Sequence, residues 1–235
     1  MLVFAHRGYF NRRITENTLE AFQNAITHGA DGIEFDLRMS KDGVPMVIHD
    51  ENLHRVAGDA RRVRDLTKKE LQMVKLRSRG TIPTLNDVTS SFSDRIQFDI
   101  ELKDSEAREA LIKKLKTSAG LRDRSVISSF VFDDLERIHE ALPGVRTLLL
   151  SKTWPVSLRG IRSWKRIQQL KPWAVGFPVN ALKKRYISFL HTRGFCVGAW
   201  DLQPLKRESR KLLRYNLDIA IVYKPDVFPS KNEKG

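Results

Sequence analysis

Cysteine is nearly absent from this sequence: Cys196 is the single one in 235 residues. One thiol can form neither an internal disulfide nor a cysteine-built zinc site, and the chain suits a reducing compartment. Long apolar runs are missing as well, and no stretch approaches the ~18 residues that a membrane-spanning helix needs. The amino terminus, Met1 to Gly8, has neither the basic start nor the longer apolar segment of a secretory signal, which predicts a cytoplasmic protein. Acidic residues are missing from one region. Residues 151–200 hold ten Lys or Arg and no Asp or Glu, in a chain of formal net charge +14. Such a segment sets up a positive field suited to phosphate esters, anionic lipid head groups or nucleic acid, and charge alone does not choose among them. A solvated basic face without a partner has the same composition.

What is present describes a globular chain: 41% hydrophobic and 30% charged residues, at a length that fits one domain spanning 1–235. Short apolar runs recur at Leu2–Ala5, Gly32–Leu37, Ile96–Leu102, Ser125–Ser129, Val145–Leu150, Ala174–Phe177, Phe195–Trp200 and Asp218–Val222. Amphipathic stretches separate them, at about Thr18–His28, Thr84–Phe92, Ser105–Ser118, Phe132–Leu142, Ser157–Leu170, Leu182–Arg193 and Leu205–Tyr215. Eight strands alternating with helices imply parallel pairing and right-handed crossovers, and this number favours a closed (β/α)8 TIM barrel. One interval breaks the rhythm. Ser40-Lys41-Asp42-Gly43 is a turn signal, and Pro45–Ile48 reads as a strand returning beside the second. Residues 51–83 are polar and rich in Arg and Lys, with a short helical pattern at Thr67–Leu76, and read as an insertion at the end of the barrel where active sites lie. The tail after Val227 reads as frayed.

The second strand carries Glu34 and Asp36 two residues apart, so both project from one face of an extended chain. Two inward carboxylates repel unless a cation lies between them, and oxygen donors suit Mg2+ or Ca2+ better than zinc. The third strand repeats the device, with Asp99, Glu101 and Lys103 alternating along it. A single Glu-x-Asp more often faces solvent, but recurrence on adjacent apolar strands reverses that expectation. His6 and His49 each end an apolar strand, and an opposed pair of imidazoles supplies both the base and the acid of a phosphodiester displacement. Either one alone would read as a structural histidine. Arg7 and Lys103 are placed to bind phosphate oxygens, and Gly8 lets the backbone approach closely. His28, His54, His139 and His191 fall in helices or loops and receive no catalytic reading.

His6-Arg7-Gly8, Glu16 to Phe22, Gly29 to Leu37, Lys41-Asp42-Gly43 and Val47 to Asp50, in this order and spacing, resemble the amino-terminal signature of glycerophosphodiester phosphodiesterases. The similarity continues more loosely through Ile82 to Leu85, Glu101-Leu102-Lys103, Ser128 to Phe130 and Trp200. The resemblance implies a barrel with an insertion after its second strand and hydrolysis of glycerophosphodiesters to glycerol 3-phosphate and an alcohol. By position it implies one divalent cation, Mg2+ or Ca2+, on Glu34, Asp36 and Glu101. His6 and His49 would be the acid/base pair, and Arg7 and Lys103 would bind phosphate. Asn17 is implied near the metal or glycerol, and Trp200 on the substrate side. Two places depart from the family pattern: Trp200-Asp201-Leu202-Gln203 stands for Trp-Thr-Val-Asn, and Val222-Tyr223-Lys224-Pro225 for Thr-Asp-x-Pro. Both fall on the last strands, so specificity is more affected than chemistry. A second reading takes the basic segment with Trp154, Trp164 and Trp173 as a surface for anionic membranes and an intact phospholipid or lysophospholipid as substrate. A third is a non-catalytic protein that binds anionic lipid or nucleic acid; it ranks low, because no nucleic-acid motif is found and the full ligand set is retained.

Overall fold

The computed structural model describes residues 1–92, 96–153, 161–202 and 215–227. Its strands are β1 (Leu2–His6), β2 (Gly32–Met39), β3 (Pro45–Val47), β4 (Gln97–Leu102), β5 (Ser125–Ser129), β6 (Arg146–Leu150), β7 (Ala174–Pro178), β8 (Cys196–Leu202) and β9 (Ile219–Val222). Eight of them pair in parallel in the order β1-β9-β8-β7-β6-β5-β4-β2, and β1 pairs with β2 to close the ring. The expected TIM barrel is therefore present. β3 lies outside the ring and runs antiparallel to β2, with Leu37 opposite Val47 and Met39 opposite Pro45.

The helices are α1 (Leu19–Thr27), α2 (His54–Ala57), α3 (Lys68–Gln72), α4 (Leu85–Ser91), α5 (Ser105–Lys116), α6 (Ala119–Asp123), α7 (Phe132–Ala141), α8 (Ile161–Leu170) and α9 (Lys184–His191). The helix expected at Leu205–Tyr215 falls almost wholly outside the described residues, as do the start of the one expected from Ser157 and the tail after Val227. The helix expected at Ser105–Ser118 matches α5, and α6 beyond it was not expected from the sequence pattern. The break has a local cause: the Thr117 hydroxyl donates back to the carbonyl of Lys114 at 2.9 Å, and Ser118 is extended at φ −140°.

Strand period sorts the core into two shells. Ile33, Phe35 and Leu37 of β2, with Phe98, Ile100 and Leu102 of β4, point outward and pack on Phe22 and Ala25 of α1 and Leu111 and Leu115 of α5. Val175, Phe177, Val197 and Ala199 do the same against Ile167 of α8 and Leu190 of α9. Each such side chain contributes roughly 1.5–3 kcal/mol by leaving water. The alternate residues point inward, and Phe4, Val126, Leu148, Ala174 and Ile219 fill the amino-terminal end of the barrel. Gly32 lies opposite Phe4, where an added Cβ would sit 2.3 Å from the ring. Followed toward the carboxyl ends, these inward rows turn polar: His6 after Phe4, Glu34 and Asp36 after Gly32, Ser128 after Val126. An apolar plug thus underlies a polar floor.

Residues 51–83 have a core of their own. Leu53, Val56, Val63, Leu66, Leu71 and Leu76 pack with Ile82 on Met46 and Ile48. Their irregular spacing fits neither helix nor strand period, which is why this segment reads as merely polar. Its α3 opens on a reciprocal cap, with Thr67 accepting from the Glu70 N–H and Glu70 accepting from that of Thr67. None of the described helices is long and apolar enough to cross a membrane.

Candidate active site

Strand register builds the floor. Glu34 is opposite His6 on one side and Asp99 on the other, Asp36 is opposite Glu101, and Glu101 is opposite Ser128. Glu34, Asp36 and Glu101 are buried, and one carboxylate oxygen from each lies within 4.8 Å of the others. Asp36 accepts from Asn17 Nδ2 at 2.8 Å and pairs with Lys103 Nζ at 3.3 Å and Arg7 Nε at 3.4 Å. Lys103 also donates to Glu101 at 2.5 Å, and the Arg7 backbone N–H donates to Glu34 at 2.8 Å. Glu34 Oε1 is buried with no hydrogen-bond donor, and Asp36 Oδ1 is buried without a hydrogen bond, the Lys103 ammonium standing 3.3 Å from it as an ion pair. Orphaned buried oxygens in a three-carboxylate cluster fit a hard divalent cation, whose charge would replace the missing donors.

The cluster divides its protons unequally. Burial pushes Glu34 well above the usual carboxylate range, and the charges of Asp36 and Glu101 push it the same way. Burial and Asp36 likewise raise Glu101 to about 7, against the pull of Lys103. Burial would raise Asp36 too, but Lys103, Arg7, His49 and Asn17 override it and hold Asp36 at about 2. Asp99, fully buried beneath them, is raised to about 7, chiefly by burial.

His6 leaves β1 with its Nε2 4.0 Å from Glu34 Oε2 and its ring edge-on to Tyr223, centroids 4.7 Å apart. Burial, then the Arg7 charge, lower its proton affinity to about 3 despite Asp36. The chain turns sharply just beyond, with Arg7 at φ +58° and Gly8 at φ +80°. A Cβ on Gly8 would meet the Ala21 carbonyl carbon of α1 at 2.7 Å. His49 follows β3, and its Nδ1 is bonded to Asp50 at 2.6 Å. Asp50 accepts from Arg55 Nε at 2.6 Å, Arg55 grips Glu16 with two bonds of 2.7 and 2.8 Å, and Glu16 accepts from Arg7 at 2.9 Å. This chain of charges ties the insertion to the floor, and the sequence reading missed it. Glu16 and Asp50 stood within the quoted motifs without a role.

Above the floor opens a cavity of about 510 Å3. Its lining includes His6, Arg7, Glu34, His49, Glu101 and Lys103, so the expected residues are brought together. Trp200 also lines it, whereas Asn17 stands behind Asp36. Phe130, Lys152, Asp201 and Tyr223 complete the mouth, and none was assigned a role from sequence. Phe130 stood in a loosely matching motif, Lys152 in the basic segment, and Asp201 and Tyr223 in the two departures from the family pattern. Trp164 packs on Phe189 and Phe195 at 5.1 and 6.0 Å, Trp173 lies under the Arg146 guanidinium, and Trp154 is outside the described residues. Three other histidines bond within their surroundings: His28 to Asn24, His139 to Thr147 and His191 to Asp218.

Comparison with known proteins agrees with this geometry. The model of the glycerophosphoryl diester phosphodiesterase family matches residues 6–227. A glycerophosphodiester phosphodiesterase of Bacillus altitudinis is 36% identical over 162 residues, which are 63% of this chain and 66% of that protein. Among solved structures, glycerophosphodiester phosphodiesterase from Thermotoga maritima superposes with a TM-score of 0.81 at 31% identity, covering 97% of this chain and 96% of that one. An Oleispira antarctica phosphodiesterase solved with the product sn-glycerol-3-phosphate has a TM-score of 0.85 over 97% of this chain and 95% of its own; at 22% identity it shows the shared fold. With the match running through nearly the whole chain, this protein belongs to the glycerophosphoryl diester phosphodiesterase family and is an enzyme of the phosphodiesterase class.

Proposed function

We propose that the protein hydrolyses glycerophosphodiesters to glycerol 3-phosphate and an alcohol, with a divalent cation, Mg2+ or Ca2+, held by Glu34, Asp36 and Glu101. The observation that carries this reading is the cluster of three buried carboxylates, two of their oxygens without a hydrogen bond, at the floor of a cavity lined by two histidines. A cation bound there supplies positive charge that polarises the phosphate. The remaining work falls to side chains of this chain. Arg7 and Lys103 face the cavity and neutralise charge on the phosphate oxygens as it develops. Burial and Arg7 keep His6 neutral at physiological pH, so its imidazole can take the proton of the water that attacks phosphorus, or of a glycerol hydroxyl that attacks first and is then displaced by water. His49 bonds Asp50 through Nδ1, leaving Nε2 for the substrate. Burial, with the Arg7 and Lys103 charges, lowers the proton affinity of that ring against the pull of the Asp36 and Asp50 carboxylates; it lines the same cavity as His6, and we assign it the protonation of the leaving alcohol. Asn17 orients Asp36 through its amide. The family match agrees with this reaction, as does the Oleispira phosphodiesterase, whose product is sn-glycerol-3-phosphate.

The test is release of glycerol 3-phosphate from glycerophosphocholine and glycerophosphoethanolamine with Mg2+, Ca2+ or EDTA, for wild type, His6→Ala and Glu34→Ala. Metal-dependent turnover reduced by about 100-fold or more in both variants is expected. Turnover that survives EDTA, or that survives both substitutions, would refute the assignment.

A further inference from the structure

We propose that the arc of the cavity running from β5 to β9 is a head-group subsite for a zwitterionic alcohol, one bearing both an ammonium and a carboxylate, with Lys152 and Asp201 as its charged contacts. The inference rests on the reaction proposed above and narrows its substrate class. The ring order puts β5, β6, β7, β8 and β9 in one continuous arc, while the acid floor belongs to β2 and β4. Phe130 follows β5, Lys152 lies two residues beyond β6, Trp200 and Asp201 are on β8, and Tyr223 follows β9. All five line the cavity, and the phosphate chemistry uses none of them.

Charge distinguishes this arc from the floor. Lys103 is answered by Asp36 and Glu101, and Arg7 by Glu16 and Asp36. Lys152 has no ion pair among the described residues; its ammonium lies 5.9 Å from the centroid of the Phe130 ring, a ring it shares with Lys103 at the same distance. Asp201 is exposed, sits at φ +60°, and has as its contact the Tyr223 hydroxyl, which donates at a long 3.5 Å. Among the described residues, two opposite charges thus stand without an ion pair, one just beyond β6 and one on β8. In the same cavity Trp200 meets Phe130 edge-on at 5.6 Å, an aromatic wall that displaces water and strengthens any charge pairing beside it. Glycerol, being uncharged, answers neither group. A choline head group would answer Asp201 and be repelled by Lys152, and a simple anion the reverse. An amino-acid alcohol such as serine answers both.

The experiment measures kcat/KM for glycerophosphoserine, glycerophosphoethanolamine and glycerophosphocholine on the metal-loaded protein, with Lys152→Ala and Asp201→Asn. The serine diester is expected to be the best substrate. Lys152→Ala should penalise it about tenfold more than the ethanolamine diester, and Asp201→Asn should penalise both relative to wild type. Choline preferred or equal, Lys152→Ala lowering all three substrates alike, or Asp201→Asn lowering none of them would overturn the subsite. Calorimetric Kd values for the same three compounds rank the head groups without turnover. Equal Kd values would overturn the subsite even in an active enzyme, whereas serine bound tightest without any glycerol 3-phosphate release would uphold it and refute the reaction.

Discussion

Replacing Asp99 by asparagine should stabilise the metal-free protein, and the gain should appear only above acidic pH. Asp99 is fully buried. Burial, with Glu101 and Asp36 acting in the same direction, raises its carboxyl from 3.8 to about 7 against the Ser128 hydroxyl, which donates to it at 2.6 Å. The folded state therefore holds this proton more tightly than the unfolded chain. Its advantage is complete below pH 3.8 and is lost as pH rises through about 7. At about 1.4 kcal/mol for each tenfold change in proton affinity, the loss amounts to about 4 kcal/mol by pH 8. An asparagine keeps an oxygen acceptor for Ser128 and never ionises. Urea melts in EDTA should thus show Asp99→Asn gaining about 4 kcal/mol on wild type between pH 3.5 and pH 8, or on the order of 10 °C in Tm. Saturating Mg2+ or Ca2+ should narrow the gap, since a cation on Asp36 and Glu101 removes part of their repulsion. Parallel pH curves for the two proteins would refute the reasoning, as would a variant that loses stability relative to wild type as pH rises.

Two further outcomes test local parts of the site. Gly8→Ala should cost about 2 kcal/mol or more in urea unfolding, because φ is +80° and the new Cβ would lie 2.7 Å from a backbone carbon of α1; a loss below about 0.5 kcal/mol would contradict the close approach. Arg55→Ala should lower kcat by about tenfold by freeing Asp50 and Glu16, and Arg55→Lys should restore little of it, because an ammonium cannot grip Glu16 with two parallel bonds; full rescue by lysine would contradict the bidentate role.

The barrel and the acid cluster were legible because both follow from short periods. Glu34 and Asp36, or Asp99 and Glu101, share a face through spacing alone, and each strand candidate coincided with a strand to within about two residues. What escaped was set by closure of the ring and by long ion pairs. Phe130, Lys152, Asp201 and Tyr223 follow or end four different strands, and nothing local links them. Arg55 meets Glu16 across 39 residues, from within a segment whose apolar residues obey no period. Asp99 was seen as an inward acid, but its depth beneath Glu101 depends on how far the barrel's apolar plug rises, which strand spacing does not give.

The charges of the floor also bear on why a cation belongs to the proposed reaction. Asp36, Glu34 and Glu101, when ionised, outnumber the two cations Arg7 and Lys103 that they face, and Arg7 is shared with Glu16, so the buried floor carries net negative charge. A phosphodiester carries one negative charge as well, so the floor alone repels its substrate. Without a cation the chain can relieve this only by protonating acids, and the raised proton affinities of Glu34 and Glu101 are that response. A divalent cation offsets that negative charge and lets the site accept the diester. A monovalent ion would supply half as much positive charge. The same burial that makes the carboxylates costly in the empty site makes the cation's field effective once it is bound, because neither is screened by water.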